Sequence, residues 1–172
     1  IYSTGISNGA LFSNYLAVNH ADRIAAIAPV VGGLAENFKD RFKPSGPVSV
    51  LVLQGTDDPL IPFAGGDVAF KRGRILSTDE TVRLWVDRDA CSKEPVMDTL
   101  PDADPADGCT VRRSTWSQGA GGTEVVLYTI DGGGHTWPNG SQYLPKGIIG
   151  PVCRDFDGTR TIWEFFKMHP KP

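Results

Sequence analysis

Two uninterrupted apolar runs dominate the hydrophobic pattern: Ile24 to Val31, closed by Gly32-Gly33, and Val48 to Leu53, entered through the Pro44 to Pro47 turn. Runs of this length without polar alternation mark strands buried on both faces, the usual state of a parallel sheet. Ahead of them Ile1 to Thr4 is short and β-compatible, and Gly9 to His20 sets Leu11, Phe12, Tyr15 and Leu16 on one stripe of a 3.6-residue helix. The chain therefore opens strand, sharp turn, helix. Further on, Ser77-x-x-Glu80 has the capping-box pattern and starts a helix that carries Val82, Leu84, Trp85 and Val86 and ends near Ala90. Residues 91 to 109 form a Pro- and Asp-rich connector. Thr110 to Trp116 and Glu124 to Ile130 read as strands joined across Gly119 to Gly122, a hairpin feeding the sheet. A last helix runs from about Asp157 to Met168, with Ile162, Trp163, Phe165 and Phe166 as its buried side and Asp157 or Thr159 as its N-cap. Strands alternating with helices predict an α/β fold, a mostly parallel sheet with flanking helices, in one domain over residues 1–172.

Charge narrows the choice of partners. The 172 residues carry a net charge of −3, so no basic face is available for phosphate backbones and no nucleic-acid partner is expected. The longest weakly polar stretch, Ile24 to Ala35, is interrupted by Pro29, Gly32 and Gly33, far short of a membrane span, which needs about 20 apolar residues. Oligomeric state has no signature in the sequence. Three cysteines are compatible with one disulfide and a free thiol, and a Cys91–Cys109 bridge would close a loop of about 18 residues.

Gly5-Ile6-Ser7-Asn8-Gly9 matches G-x-S-x-G and falls between a predicted strand and a predicted helix, where a nucleophile elbow must lie. Glycines two residues either side of the serine relieve the collision between strand and helix that the sharp turn would otherwise cause. A serine so placed stands at a helix N-terminus, where the Asn8 N–H and the helix dipole favour an oxyanion. The plainer alternative is a glycine-flanked strand–helix turn. A serine hydroxyl also needs a histidine base held by a carboxylate. His20 at a helix end and His169 in the tail have structural explanations. His135 follows a strand in the glycine loop Asp131-Gly132-Gly133-Gly134-His135-Thr136-Trp137-Pro138, a setting that allows close backbone approach. For the acid, Asp57 and Asp58 both lie just beyond the second buried strand, and the residues alone do not choose between them; Asp131 sits too near His135 along the loop.

Three blocks, Gly5 to Gly9, Gly55-Thr56-Asp57-Asp58-Pro59 with Ile61-Pro62-Phe63, and Gly132 to Pro138, resemble in order the polyhydroxybutyrate-depolymerase-like esterases, α/β-hydrolases that include feruloyl and acetyl-xylan esterases. The resemblance implies an α/β-hydrolase fold and a triad of Ser7, Asp58 and His135, the second aspartate being chosen because the family's acid precedes the proline. It implies Asn8 as an oxyanion donor and Trp137 as a wall of the acyl or alcohol pocket, although a tryptophan packing the loop is an equal reading. It further implies hydrolysis of short-chain, polymer-borne or hydroxycinnamoyl esters without a cofactor and, by analogy, a secreted or periplasmic location. In that fold the elbow strand is preceded by some hundred or more residues, so the chain corresponds to the C-terminal part of the catalytic domain. Prolyl-oligopeptidase-like peptidases share the elbow and the triad order, and a non-catalytic remnant or binding domain would keep the fold alone. Asp102-x-Asp104-x-x-Asp107 misses the spacing of a calcium loop, the cysteines and histidines lack paired zinc spacing, and Asn139-Gly140-Ser141 is a glycosylation sequon that is first of all a turn.

Overall fold

The computed structural model describes residues 1–171. Its six-stranded sheet runs from edge to edge through Tyr2–Ile6, Ala26–Val30, Ser49–Gly55, Val125–Asp131, Thr110–Trp116 and Val96–Thr99. Strands β1 (Tyr2–Ile6), β2 (Ala26–Val30), β3 (Ser49–Gly55) and β8 (Val125–Asp131) are mutually parallel. Strands β7 (Thr110–Trp116) and β6 (Val96–Thr99) continue the sheet antiparallel, and a two-strand ribbon, β4 (Gly66–Asp67) and β5 (Arg74–Ile75), stands apart from it. The two apolar runs are the buried β2 and β3, every residue of which is covered. This is the α/β architecture that the pattern predicts.

Helices α1 (Asn8–Asn19) and α2 (Thr78–Arg88) cover one face of the sheet, where Ala17, Val18, Val82 and Trp85 pack against Ile27, Val50, Val52 and Leu127. The four-residue α3 (Lys146–Ile149) follows the loop after β8. Helix α4 (Gly158–Met168) covers the other face with Ile162, Phe165 and Phe166 against Leu51, Leu53, Val126 and Tyr128. The capping box forms in full: the Ser77 hydroxyl accepts from the Glu80 N–H at 3.1 Å and the Glu80 carboxylate accepts from the Ser77 N–H at 3.2 Å. Asp157, rather than Thr159, caps α4 by accepting from the Arg160 N–H at 3.0 Å.

Four expectations are corrected. The stripe on α1 is not its buried side: Phe12 and Tyr15 are exposed, while Ala10, Ser13, Asn14 and Ala17 are buried. Small side chains let the helix sit close to the sheet, and the buried Asn14 is satisfied because its Oδ1 accepts from the Trp85 indole N–H at 3.0 Å. Trp163 lies outward on α4, away from the side that Ile162, Phe165 and Phe166 bury. The connector at 91–109 contains β6, an edge strand whose four residues all face solvent and therefore show no alternation. Cys91 packs with the α1 and α2 cluster, whereas Cys109 belongs to the cluster under α4, so the two do not meet across the sheet. None of the three cysteines is bridged in this structure.

Candidate active site

The sites singled out in the sequence fall at the C-terminal ends of neighbouring parallel strands. Ser7 follows β1, Asp58 follows β3 and His135 follows β8. Parallel strands all point the same way, so the loops beyond them gather on one edge.

Ser7 has φ 58° and ψ −116°, a left-handed conformation that a residue with a side chain rarely adopts and that marks the elbow as strained. The Ser7 N–H donates to the Val30 carbonyl at 3.0 Å, and the Ser7 carbonyl accepts from Ala10 at 2.9 Å and Leu11 at 3.1 Å. These bonds lock the turn between strand and helix. The two motif glycines are unequal: a Cβ on Gly5 would lie 2.8 Å from the Gly9 Cα, whereas a Cβ on Gly9 would meet nothing within 4 Å. Steric need therefore falls on Gly5. The Asn8 N–H is one of the first-turn donors with no intrahelical acceptor, as the oxyanion role requires.

Asp58 and His135 are joined by a hydrogen bond between Asp58 Oδ2 and His135 Nδ1 of 2.8 Å, with side-chain exposures of 0% and 3%. Asp58 Oδ1 accepts from the backbone N–H groups of Leu60 and Ile61, both at 2.8 Å, so each carboxylate oxygen has a strong donor. Asp57 is exposed and accepts only from the neighbouring Thr56 hydroxyl at 3.1 Å. The choice that the residues left open thus has a geometric distinction. With Nδ1 donating to a carboxylate, Nε2 is left as the acceptor of a neutral ring; among the described residues it has no partner, and it is not sealed from solvent.

The His135 loop is held by backbone on several sides. His135 N–H donates to the Ile149 carbonyl at 2.5 Å, Gly134 N–H to the Pro151 carbonyl at 3.1 Å, and the Thr136 hydroxyl to the same carbonyl at 3.0 Å. Gly55 and Gly134 make this approach possible: a Cβ on the first would fall on the Gly133 carbonyl, and on the second it would fall on the Ile149 carbonyl. Two further supports were not legible in the sequence. Tyr143 donates its hydroxyl to the His135 carbonyl at 2.8 Å, and burial, then the Asp58 charge, raise its pKa and keep it a donor. The buried Gln54 places Nε2 3.3 Å from the Ile61 carbonyl and 3.5 Å from Asp58 Oδ2.

A cleft of about 400 Å³ opens beside the elbow, walled by Ser7, Asn8, Leu11, Leu60, Ile61 and Phe70 among others. His135 is not part of that wall, and among the described residues no hydrogen bond joins the Ser7 hydroxyl to its ring. The structure thus brings Asp58 to His135 and Ser7 to the cleft, and leaves the serine–imidazole contact unmade. Trp137 is also off the wall: its indole N–H donates to the Thr159 hydroxyl at 3.0 Å and its ring packs with the core under α4, which is the loop-packing reading. Asn139 has φ 56°, so the sequon lies in a tight turn.

No family model matches the chain. It is 31% identical over 174 residues to NocK of Nocardia uniformis subsp. tsuyamanensis, a protein named as an esterase, across 96% of this chain and 50% of that one. It is 32% identical over 147 residues to feruloyl esterase B of Piromyces equi, across 83% of this chain and 26% of that protein. By sequence, then, the chain is a relative of proteins named as esterases, and it spans half the length of one and about a quarter of the other.

Proposed function

We propose that the chain carries the nucleophile, acid and base of a serine carboxylic-ester hydrolase with an α/β-hydrolase fold, in the polyhydroxybutyrate-depolymerase-like group. The observation that supports this most is the buried Asp58–His135 pair, bonded at 2.8 Å on the strand edge where the strained Ser7 turn also lies. Ser7 Oγ attacks the ester carbonyl carbon as His135 Nε2 takes its proton; the carbonyl oxygen becomes an oxyanion facing the Asn8 N–H. Collapse of that intermediate breaks the bond to the alcohol oxygen, which leaves with the proton from Nε2. Water then repeats the sequence on the acyl-serine and releases the acid. Asp58 holds the Nδ1–H tautomer and faces the imidazolium as it forms. Serine–base bonds that are long in a free enzyme tighten around substrate, the step this site requires.

Short-chain, polymer-borne or hydroxycinnamoyl esters are the proposed substrates, with a secreted or periplasmic location where such polymers are met. The largely apolar wall of Leu11, Leu60, Ile61 and Phe70 suits an acyl group of modest size. A fluorophosphonate probe tests the reading. A single adduct on Ser7, abolished in Ser7→Ala together with hydrolysis of p-nitrophenyl acetate and methyl ferulate, is the expected result. An unlabelled Ser7, or hydrolysis that survives the substitution, overturns it. Cleavage of aminoacyl anilides as fast as esters would make the protein a peptidase instead.

A further inference from the structure

Cys109 and Cys153 take no part in the proposed chemistry, yet they are held together with unusual care. Both belong to the core under α4, with exposures of 3% and 1%, and their sulfur atoms lie within 4.8 Å of each other and of the Asp107 carboxylate. One carboxylate splints the two backbone segments: Asp107 Oδ1 accepts from the Cys109 N–H and Oδ2 from the Arg154 N–H, both at 2.6 Å. The Cys153 segment in turn carries the His135 loop. Its Pro151 carbonyl accepts from Gly134 and Thr136, and the Cys153 carbonyl accepts from the Asn139 N–H at 2.8 Å.

We propose that Cys109 and Cys153 are a disulfide-forming pair that covalently ties the start of β7 to the segment supporting the His135 loop. Formation consumes a low-molecular-weight or protein disulfide, RSSR. The thiolate of one cysteine attacks one of its sulfurs and expels RS⁻; the other cysteine, losing its proton, then attacks the protein sulfur of the mixed disulfide and expels the second RS⁻. Two thiols lose two protons and two electrons, and the oxidant leaves as two RSH. The burial of both sulfurs places the reaction in the folding chain, before the segment docks. Cys91 is excluded, since it lies on the opposite face of the sheet and burial pushes its thiol up to about 11.

A metal bound by Asp107, Cys109 and Cys153 is the competing occupant. Structural zinc takes four ligands, and here a fourth is missing among the described residues while both Asp107 oxygens already accept backbone N–H groups.

The chain is produced by secretion into an oxidising compartment, alkylated with N-ethylmaleimide on release and after unfolding, and digested without reductant. The expected result is a peptide pair linked through 109 and 153 and a maleimide on Cys91 alone. Three maleimides, a linkage through Cys91, or stoichiometric zinc released by a chelator with both thiols then alkylated would overturn the proposal. A second reading uses stability: closing a loop of about 44 residues should raise the melting temperature of the oxidised protein over the reduced by roughly 10 °C. Cys91→Ser should keep that difference and Cys109→Ser or Cys153→Ser should erase it; oxidised and reduced protein melting together would overturn the structural role.

Discussion

Strand β3 has a fully buried aspartate near each end, and the two are held in opposite ways. Beyond its C-terminal end, Asp58 is surrounded by three donors at 2.8 Å: two backbone N–H groups and the His135 ring. Before its N-terminal end, Asp89 shares a single donor, the Val48 N–H, at 3.4 Å from each oxygen. Burial outweighs that bond and the Arg88 charge, and pushes the Asp89 pKa up to about 7. Both carboxyls are hidden, so burial by itself does not distinguish the two; the number and closeness of their donors does.

The largest expected break in this contrast is Asp58→Asn. The amide keeps the shape but presents an N–H or a weaker acceptor to Nδ1, so the base loses its tautomer and its counter-charge; kcat for ester hydrolysis should fall about 10⁴-fold. Steady-state kinetics on p-nitrophenyl acetate reads this, and a loss below tenfold would show that Asp58 is not the acid partner.

Asp89 should answer in stability rather than rate. Its folded pKa lies above the usual carboxylate value, so the native state binds more protons than the unfolded state between about pH 4 and 7, and stability declines as pH rises through that window. The decline is at most about 4 kcal/mol from this group. Asp89→Asn retains an acceptor for Val48 without the charge, so urea unfolding across pH 4 to 8 should show a flatter profile, with ester hydrolysis at its original rate.

The smallest effect sharpens the view of the C-terminal edge. Tyr143→Phe removes one hydrogen bond to the His135 carbonyl, worth about 1 kcal/mol. A fall in kcat of two- to tenfold with KM held would make Tyr143 a positioning residue for the base. An unchanged kcat beside a lowered melting temperature would make it merely structural.

What could be read from the sequence divides along physical lines. Continuous apolar runs announce β2 and β3, because burial on both faces leaves its mark at every residue. The capping box announces the start of α2, because its contacts lie three residues apart. By contrast, β6 is invisible to pattern, since all four of its residues are wet. The face of α1 is misread because aromatic Phe12 and Tyr15 point outward, while a buried Asn14 depends on Trp85, 71 positions away. The same divide runs through the site. Ser7 and His135 sit in local motifs that announce themselves, and the family resemblance picks Asp58 by the proline after it; its physical distinction from Asp57 rests on the contact with His135, 77 positions away, while Gln54 and Tyr143 support the site through loop turns that leave no pattern in the sequence. Cysteine pairing fails for the same reason: chain separation suggested Cys91 with Cys109, and the sheet stands between them.

The glycines packed backbone to backbone at 55 and 134 also bear on how such a protein changes over generations. Any side chain there strikes a carbonyl, so the backbone packed around His135 can accept almost no substitution at these two positions. The cleft beside Ser7 is built differently. From Val68 to Arg74 the residues are half-buried or exposed, and Phe70 at 73% exposure borders the cleft without carrying the core. Mutations that re-tune which molecule is accepted would therefore accumulate on that side, leaving His135 and Asp58 where they are.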